Sequence, residues 1–375
     1  MPESTIQKPK KPTAAFPLYS HRNGRWAKKI RGKTHYFGPW DDPNGALETY
    51  LDQKDELLAG RTPRLTKDGF TLHDLCNEFL TAKRHQQEAG DITKQTFDDY
   101  FKTCETMLRM LGKKRLVDDL GPLDFRTFRA KLAKTRNPNT LGNEIQRVRV
   151  AFNYAYNVDL IKHPVKFGPD FKRPAKRVLR ALRQKKGRRM FEADELFDLI
   201  EGIDRPMRAM VLLGINCGFG NSDCGRLPMS AIKNGWIDFP RPKTAIERRC
   251  PLWPETIEAI EDALRHRPEP QLPEHADLVF VTKYGQPWAK ETADNPITKE
   301  FRKLLDGFGL HRPGLGFYAL RHTFETIAGG SRDQVAVNHI MGHADQSMAG
   351  VYREHIEDER LVDVTDHVWN WLFAE

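Results

Sequence analysis

The chain has 375 residues, 39% hydrophobic, 30% charged and 10% aromatic, and its 60 Lys and Arg against 51 Asp and Glu give a formal net charge of +9. This length predicts two or three domains at roughly 100–200 residues each. The aromatic content excludes wholesale disorder, and no apolar run nears the roughly 18–20 residues that span a bilayer. Met1 to Lys11 is polar and lacks an apolar signal core, and five cysteines without a CxxC pair read as reduced thiols of a cytoplasmic protein, neither a disulfide frame nor a zinc site.

Residues 1–60 read as a small module. Asn23-Gly24 predicts a two-residue hairpin turn between Leu18–Arg22 and Trp26–Ile30, and Arg31-Gly32-Lys33 turns the chain into Thr34–Phe37. Gly45 to Ala59 then has helical spacing, with Leu47, Leu51, Leu57 and Leu58 as its stripe. Three strands and a helix bury little surface, so the module is expected to lean on DNA or a neighbour. Residues 1–40 hold nine Lys and Arg against one acid, and Arg25, Lys28, Lys29 and Lys33 are its candidate phosphate contacts.

After a polar connector at 61–69, residues 70–161 carry four helical stripes, the third being Leu123, Phe125, Phe128 and Leu132. Arg147 and Arg149, on the fourth, could face DNA. Residues 162–189 form a basic linker. Pro164, Pro169 and Pro174 discourage regular helix at its start, and 172–189 holds ten Lys and Arg with no acid. Lys172, Arg173, Lys176, Arg177 and Arg180 are taken as its DNA-binding residues. Residues 190–375 form the largest unit, where helical patterns surround two strand-like stretches, Trp236–Phe239 and Leu278–Val281.

In the last third, Tyr318-Ala319-Leu320-Arg321-His322-Thr323-Phe324 is followed by Gly342-His343 and then by Tyr352, nine residues beyond that histidine. A helix stripe of Leu320, Phe324 and Ile327 ends at Gly329-Gly330, Ser331 to Gln334 has the form of a capping box, and Ser347 can cap a helix carrying Tyr352. His322 reads as a buttress of the first helix. His339 and His343 are four apart, but Ile340 stands where a zinc helix has its glutamate and Gly342 breaks the helix, so no metal is expected.

These motifs and their spacing resemble the tyrosine recombinase, or phage integrase, family, whose signature pairs an arginine in an LRHT helix with a GH and a nucleophilic tyrosine nine residues on. The resemblance implies a mainly α fold with small β elements: a three-stranded arm-binding-like module at 1–60, a helical, SAM-like core-binding domain at 70–161, the linker at 162–189, and a mixed α/β catalytic domain of DNA breaking-rejoining type at 190–375. It implies Tyr352 as nucleophile, giving a 3′-phosphotyrosyl link, Arg321 as a ligand of the phosphate, His343 as a donor to the same phosphate or an aid to the nucleophile, and Lys243 of Arg241-Pro242-Lys243-Thr244 as general acid, with no cofactor. Tyr318 stands where the family has a His or Lys, and can still donate to phosphate.

One departure is larger. The family's first arginine belongs where Cys217-Gly218-Phe219-Gly220-Asn221-Ser222-Asp223 has Gly220, although Asp223 keeps the supporting acid. Losing one such donor typically costs about 10²–10³ in rate. Arg226, Arg248 or a linker arginine is a candidate replacement. The expected partner is double-stranded DNA, with a homo-tetramer on DNA, a monomer off it, a nucleoid-associated location and no membrane. Val362 to Phe373, aromatic and apolar through Trp369, Trp371, Leu372 and Phe373, resembles the family's terminal segment that docks on a neighbouring subunit, or else packs on its own domain. Two other readings stay open: a DNA-binding protein without cleavage activity, which Gly220 motivates, and a type IB topoisomerase.

Overall fold

A three-residue loop, Arg22 to Gly24, joins β1 (Tyr19–His21) to β2 (Arg25–Ile30) in the computed structural model, which describes residues 8–58, 60, 69–185, 187–290, 295–344 and 347–374. Gly24 takes φ +79°, and its N–H returns to the His21 carbonyl at 3.1 Å. The hairpin loop is thus one residue longer than predicted, with the glycine ending it in the left-handed region. Arg31 and Gly32, at φ +48° and +83°, make the two-residue turn into β3 (Lys33–Pro39). The sheet is antiparallel in the order β1-β2-β3.

The helix α1 (Pro43–Leu58) closes one face of this sheet. Its inward residues are Ala46, Tyr50 and Leu57, against Phe16, Leu18, Trp26 and Phe37. Leu51 and Leu58 are 57% and 52% exposed, a correction to the predicted stripe, because Ala46 and Tyr50, one turn apart, take the sheet side. With Leu18 and Trp26 wholly buried, the module encloses a core of its own. It forms one compact unit, residues 1–71, and residues 72–375 form the other. The polar connector falls almost wholly outside the described residues.

The second unit begins with four helices: α2 (Leu72–Glu88), α3 (Lys94–Leu111), α4 (Pro122–Thr135) and α5 (Pro138–Asn157). Thr93 caps α3 by accepting from the Thr96 N–H, and Asn137 caps α5 by accepting from the Thr140 N–H. Phe125, Phe128 and Leu132 are buried, but Leu123 is not, because it lies on the outer side of the first turn. Phe167 and Phe171, from the start of the basic segment, pack into the same core: Phe125 lies 4.7 Å from Phe167 and 5.2 Å from Phe171, centroid to centroid. Arg147 pairs with Asp99, and Arg149 donates to the Phe171 carbonyl at 2.5 Å while lying over the Phe167 ring. Both arginines are therefore spent on internal packing. Beyond Pro174 the basic segment becomes α6 (Lys176–Lys185), no residue of which is buried.

The remaining helices are α7 (Ala193–Gly202), α8 (Met207–Asn216), α9 (Asn221–Gly225), α10 (Pro254–Arg265), α11 (Pro296–Gly307), α12 (Tyr318–Ala328), α13 (Gln334–Met341), α14 (Met348–Tyr352) and α15 (Asp358–Phe373). A second antiparallel sheet joins β4 (Ile232–Lys233), β5 (Trp236–Asp238) and β6 (Arg249–Pro251) in that order. Leu278–Val281, predicted as a strand, makes only isolated bridges, Leu278 with Pro228 and Val281 with Pro287. Its apolar run is bought by burial: Val279 and Phe280 enter the core without a partner strand. The fold is mainly α with two small three-stranded sheets.

Helix α8 is buried along its length between α10 and α12. Gly214 lets α12 approach, since a Cβ there would stand 2.7 Å from Leu320 Cδ1. Helix α15 packs on this same core through Leu361, Val364, Val368 and Leu372, and the Trp253 indole donates to the Thr365 carbonyl at 3.2 Å. Of the two roles open to the terminal segment, the structure has it on its own domain.

Candidate functional site

Arg321 projects from α12 into the core and is only 2% exposed. Its Nη1 donates to the Gly218 carbonyl at 2.6 Å, and its Nη2 donates to the Met341 carbonyl at 2.6 Å and to His343 Nε2 at 2.9 Å. Three of five N–H groups are thus committed, which fixes the guanidinium plane and leaves two for an anion. Burial, then the neighbouring Arg241 guanidinium, pushes Arg321 down to about 10, so it stays charged at neutral pH. The end of α8 and the turn after α13 thus receive its head.

The α13 turn puts His343 there. Gly342 ends α13 at φ +60°, and the His343 N–H returns to the Asn338 carbonyl. Burial first, then Arg321, holds His343 below the ordinary imidazole value, so Nε2 is free to accept from Arg321. Its Nδ1 faces Glu325 Oε2 at 3.7 Å. Glu325 lies one turn after Arg321 on α12. Sequence reasoning missed it, although the four-residue spacing was legible. The helix α13 itself starts later than predicted. Asp333, not Ser331, caps it by accepting from the Ala336 N–H, because Gly329–Ser331 continues α12 as a 3₁₀ turn.

Gly220 opens α9. Its N–H donates to Asp223 Oδ2 at 2.6 Å, and the other Asp223 oxygen accepts from Arg248 Nη2 at 2.9 Å. A Cβ at Gly220 would stand 3.2 Å from the Tyr318 ring, so this phenol fills part of the space a longer side chain would need. Arg248 is 3% exposed, over the Phe219 ring at 4.1 Å, and donates Nε to the Phe239 carbonyl. Tyr318 is half exposed and stands edge-on to His322.

Tyr352 ends α14 and is 74% exposed. Ser347 caps this helix, accepting from the Gly350 N–H at 3.1 Å. Lys243 is exposed at the tip of the β5-β6 hairpin, where the Arg241 N–H meets the Ile246 carbonyl at 2.8 Å. Arg321, His343 and Tyr318 are therefore brought together, while Tyr352 and Lys243 stand at the surface without a hydrogen bond to that cluster among the described residues.

Of the basic residues singled out in the linker, Arg180 lines a cleft of about 1280 Å³, together with Arg183, Arg188, Arg189, His322 and Thr326. Lys176 and Arg177 are exposed on α6, Lys172 gives its carbonyl to Arg129, and Arg173 lies against Gly142 of α5. His322 faces this basic cleft while its ring stands edge-on to Tyr318, one turn earlier on α12. Burial, then Arg189 and Arg183, keeps it below the ordinary imidazole value. In the first unit Arg25, Lys29 and Lys33 are exposed, whereas Lys28 lies over the Tyr50 ring of α1 at 4.8 Å. The opposite face carries Tyr19, His21 and Tyr36, with His21 and Tyr36 5.1 Å apart. Among the described residues no group of three or more His, Cys, Asp or Glu is placed to hold a metal ion, and no helix is long and apolar enough to cross a membrane.

A comparison with curated protein sequences gives no match. Among solved structures, a lambda integrase dimer bound to a COC′ core site is similar in fold at 15% identity and a TM-score of 0.58, covering 91% of this chain and 97% of that one. A lambda integrase tetramer bound to a Holliday junction is similar at 16% identity and 0.59, covering 91% and 98%. The Tn1549 transposon integrase in complex with a circular intermediate DNA is similar at 17% identity and 0.58, covering 78% and 98%. The phage integrase family model matches residues 182–359, the segment that holds Arg321, His343 and Tyr352. That match, over residues 182–359, bears out the resemblance to the phage integrase family that the motifs of the last third carry.

Proposed function

We propose that the protein is a site-specific DNA recombinase that cuts and rejoins duplex DNA through Tyr352. The observation that carries this reading is Arg321, a buried guanidinium with two N–H groups in reserve, bonded to the histidine that precedes an exposed tyrosine by nine residues. A pentacoordinate phosphorus carries extra negative charge, which fixed donors in a water-poor site neutralise at little reorganisation cost. Arg321 binds non-bridging oxygens, the Tyr318 hydroxyl donates to the same phosphate, and His343 orients the Arg321 plane. The Tyr352 oxygen attacks phosphorus and gives up its proton to solvent. The bond to the 5′ oxygen breaks, and Lys243 supplies the proton that oxygen takes up. The 3′-phosphotyrosyl bond keeps the energy for rejoining, so neither metal nor nucleotide is required.

The basic cleft and the exposed cations of the first sheet act as phosphate contacts. The division into an arm-binding module at 1–60, a core-binding domain at 70–161, a linker at 162–189 and a catalytic domain at 190–375 is part of the same reading, as is a tetramer on DNA with a monomer off it. The tetrameric lambda integrase on a Holliday junction supports that assembly.

Gly220 favours a second reading, a DNA-binding protein without cleavage. One experiment separates the two. Duplexes selected by the protein from a randomised library are nicked to trap the covalent intermediate and run on a denaturing gel. Wild type is expected to shift with the DNA and Tyr352→Phe not at all. DNA binding by wild type with no covalent band would establish the second reading instead.

A further inference from the structure

Gly220 removes a guanidinium, and the structure places another one nearby by a different route. Arg241, half-buried at the base of the β5-β6 hairpin, directs Nη1 to the Gly342 carbonyl at 3.5 Å. Arg321 Nη2 donates to the preceding carbonyl, that of Met341, at 2.6 Å. Two guanidinium groups from opposite elements therefore grip consecutive carbonyl oxygens of one turn, and His343 follows that turn directly. Arg241 is held at its backbone as well. Its N–H meets the Ile246 carbonyl, its own carbonyl accepts from Thr244 and Ala245, and Pro240 and Pro242 restrict it on both sides. The approach needs a glycine at 342, because a Cβ there would stand 3.0 Å from Arg241 Cβ.

We propose that Arg241 binds the scissile phosphate beside Arg321 and supplies the cation that Gly220 omits. Arg248, the other arginine close by, is a poor substitute. It is sealed between Phe219 and Phe239 and tied to Asp223, and its free Nη1 is buried away from solvent. Arg241 needs no such release, since among the described residues its guanidinium makes a single long contact, to a carbonyl. Two like charges side by side cost energy when the site is empty, and both Arg321 and His343 sense Arg241 as a charge that disfavours protonation. An anionic phosphate between them removes that repulsion, which is the behaviour expected of a binding pair.

This inference rests on Tyr352-dependent cleavage, and its test keeps the two apart. Single-turnover cleavage is measured for wild type, Arg241→Ala and Arg241→Lys on the selected duplex. It is measured again with a methylphosphonate at the mapped cleavage position, which has one charged oxygen fewer. Arg241→Ala is expected to lose about 10²-fold on the phosphodiester, to lose far less on the methylphosphonate, and to be partly rescued by Arg241→Lys. An equal loss on both substrates would assign Arg241 a merely structural role, and no loss on the phosphodiester would leave it outside the chemistry. Either result overturns the proposal while Tyr352-dependent cleavage stands. If wild type cleaves neither substrate, the recombinase reading fails and Arg241 falls with it.

Discussion

At the scale of the residue, His343 is the group whose charge matters. Its Nε2 accepts from Arg321, an arrangement open only to the neutral ring, and burial together with Arg321 lowers its affinity for a proton. The folded protein therefore binds this proton less readily than the unfolded chain, whose histidine titrates near about 6.5. Stability linked to His343 is fully present above that value and is lost as pH falls toward the lower folded value. Denaturation midpoints at mildly acid and mildly alkaline pH should show that His343→Asn loses less on acidification than wild type does. Equal losses would mean that the ring is not held neutral. The role of Arg321 was legible from its motif, but that of Glu325 was not noticed and that of Arg241 was not available. Arg241 lies 80 positions before Arg321, and no local pattern joins them. Only the hairpin and the turn after α13, folded against each other, put their guanidinium groups on neighbouring carbonyls.

At the scale of the element, α15 decides between packing in cis and docking on a neighbour. Leu361 is fully buried, and Arg249 ties Asp238 of β5 to Asp358 at the start of α15 with bonds of 2.8 Å. Leu361→Ala should lower the stability of the isolated, DNA-free protein by about 2–5 kcal/mol, measured by denaturant unfolding at low protein concentration. An unchanged midpoint would show that α15 does not complete this core in cis. The aromatic and apolar character of Val362 to Phe373 was readable, but an apolar segment does not name what covers it. The same limit explains α1, where the count of leucines suggested one stripe and the sheet took another through Ala46 and Tyr50. It also explains Leu278–Val281, whose apolar run is equally suited to a strand or to a buried loop.

At the scale of the whole molecule, the basic segment divides into parts with different work. Phe167 and Phe171 anchor its beginning in the helical core, Lys172 and Arg173 lie against that core's surface, and Arg180 and Arg183 line the cleft beside α12. Neutralising Arg180 and Arg183 to Gln should weaken binding to all duplex sequences alike. It should also flatten the slope of log affinity against log salt by up to about 0.9 for each arginine that meets a phosphate. Titrations at several salt concentrations check this, and an unchanged slope would remove the cleft from the interface. By itself the sequence determined the resemblance to the phage integrase family, the mainly α class, the Gly342 turn before His343, the Ser347 cap of the helix that carries Tyr352, and the acid-free charge of 172–189, because each is carried by residues within a few positions of one another. The tertiary structure alone decided which arginines are spent inside the fold, which line the cleft, where α15 rests, and what stands beside Gly220. Those outcomes depend on contacts between residues far apart in the chain, whose partners are chosen by packing and not by local pattern.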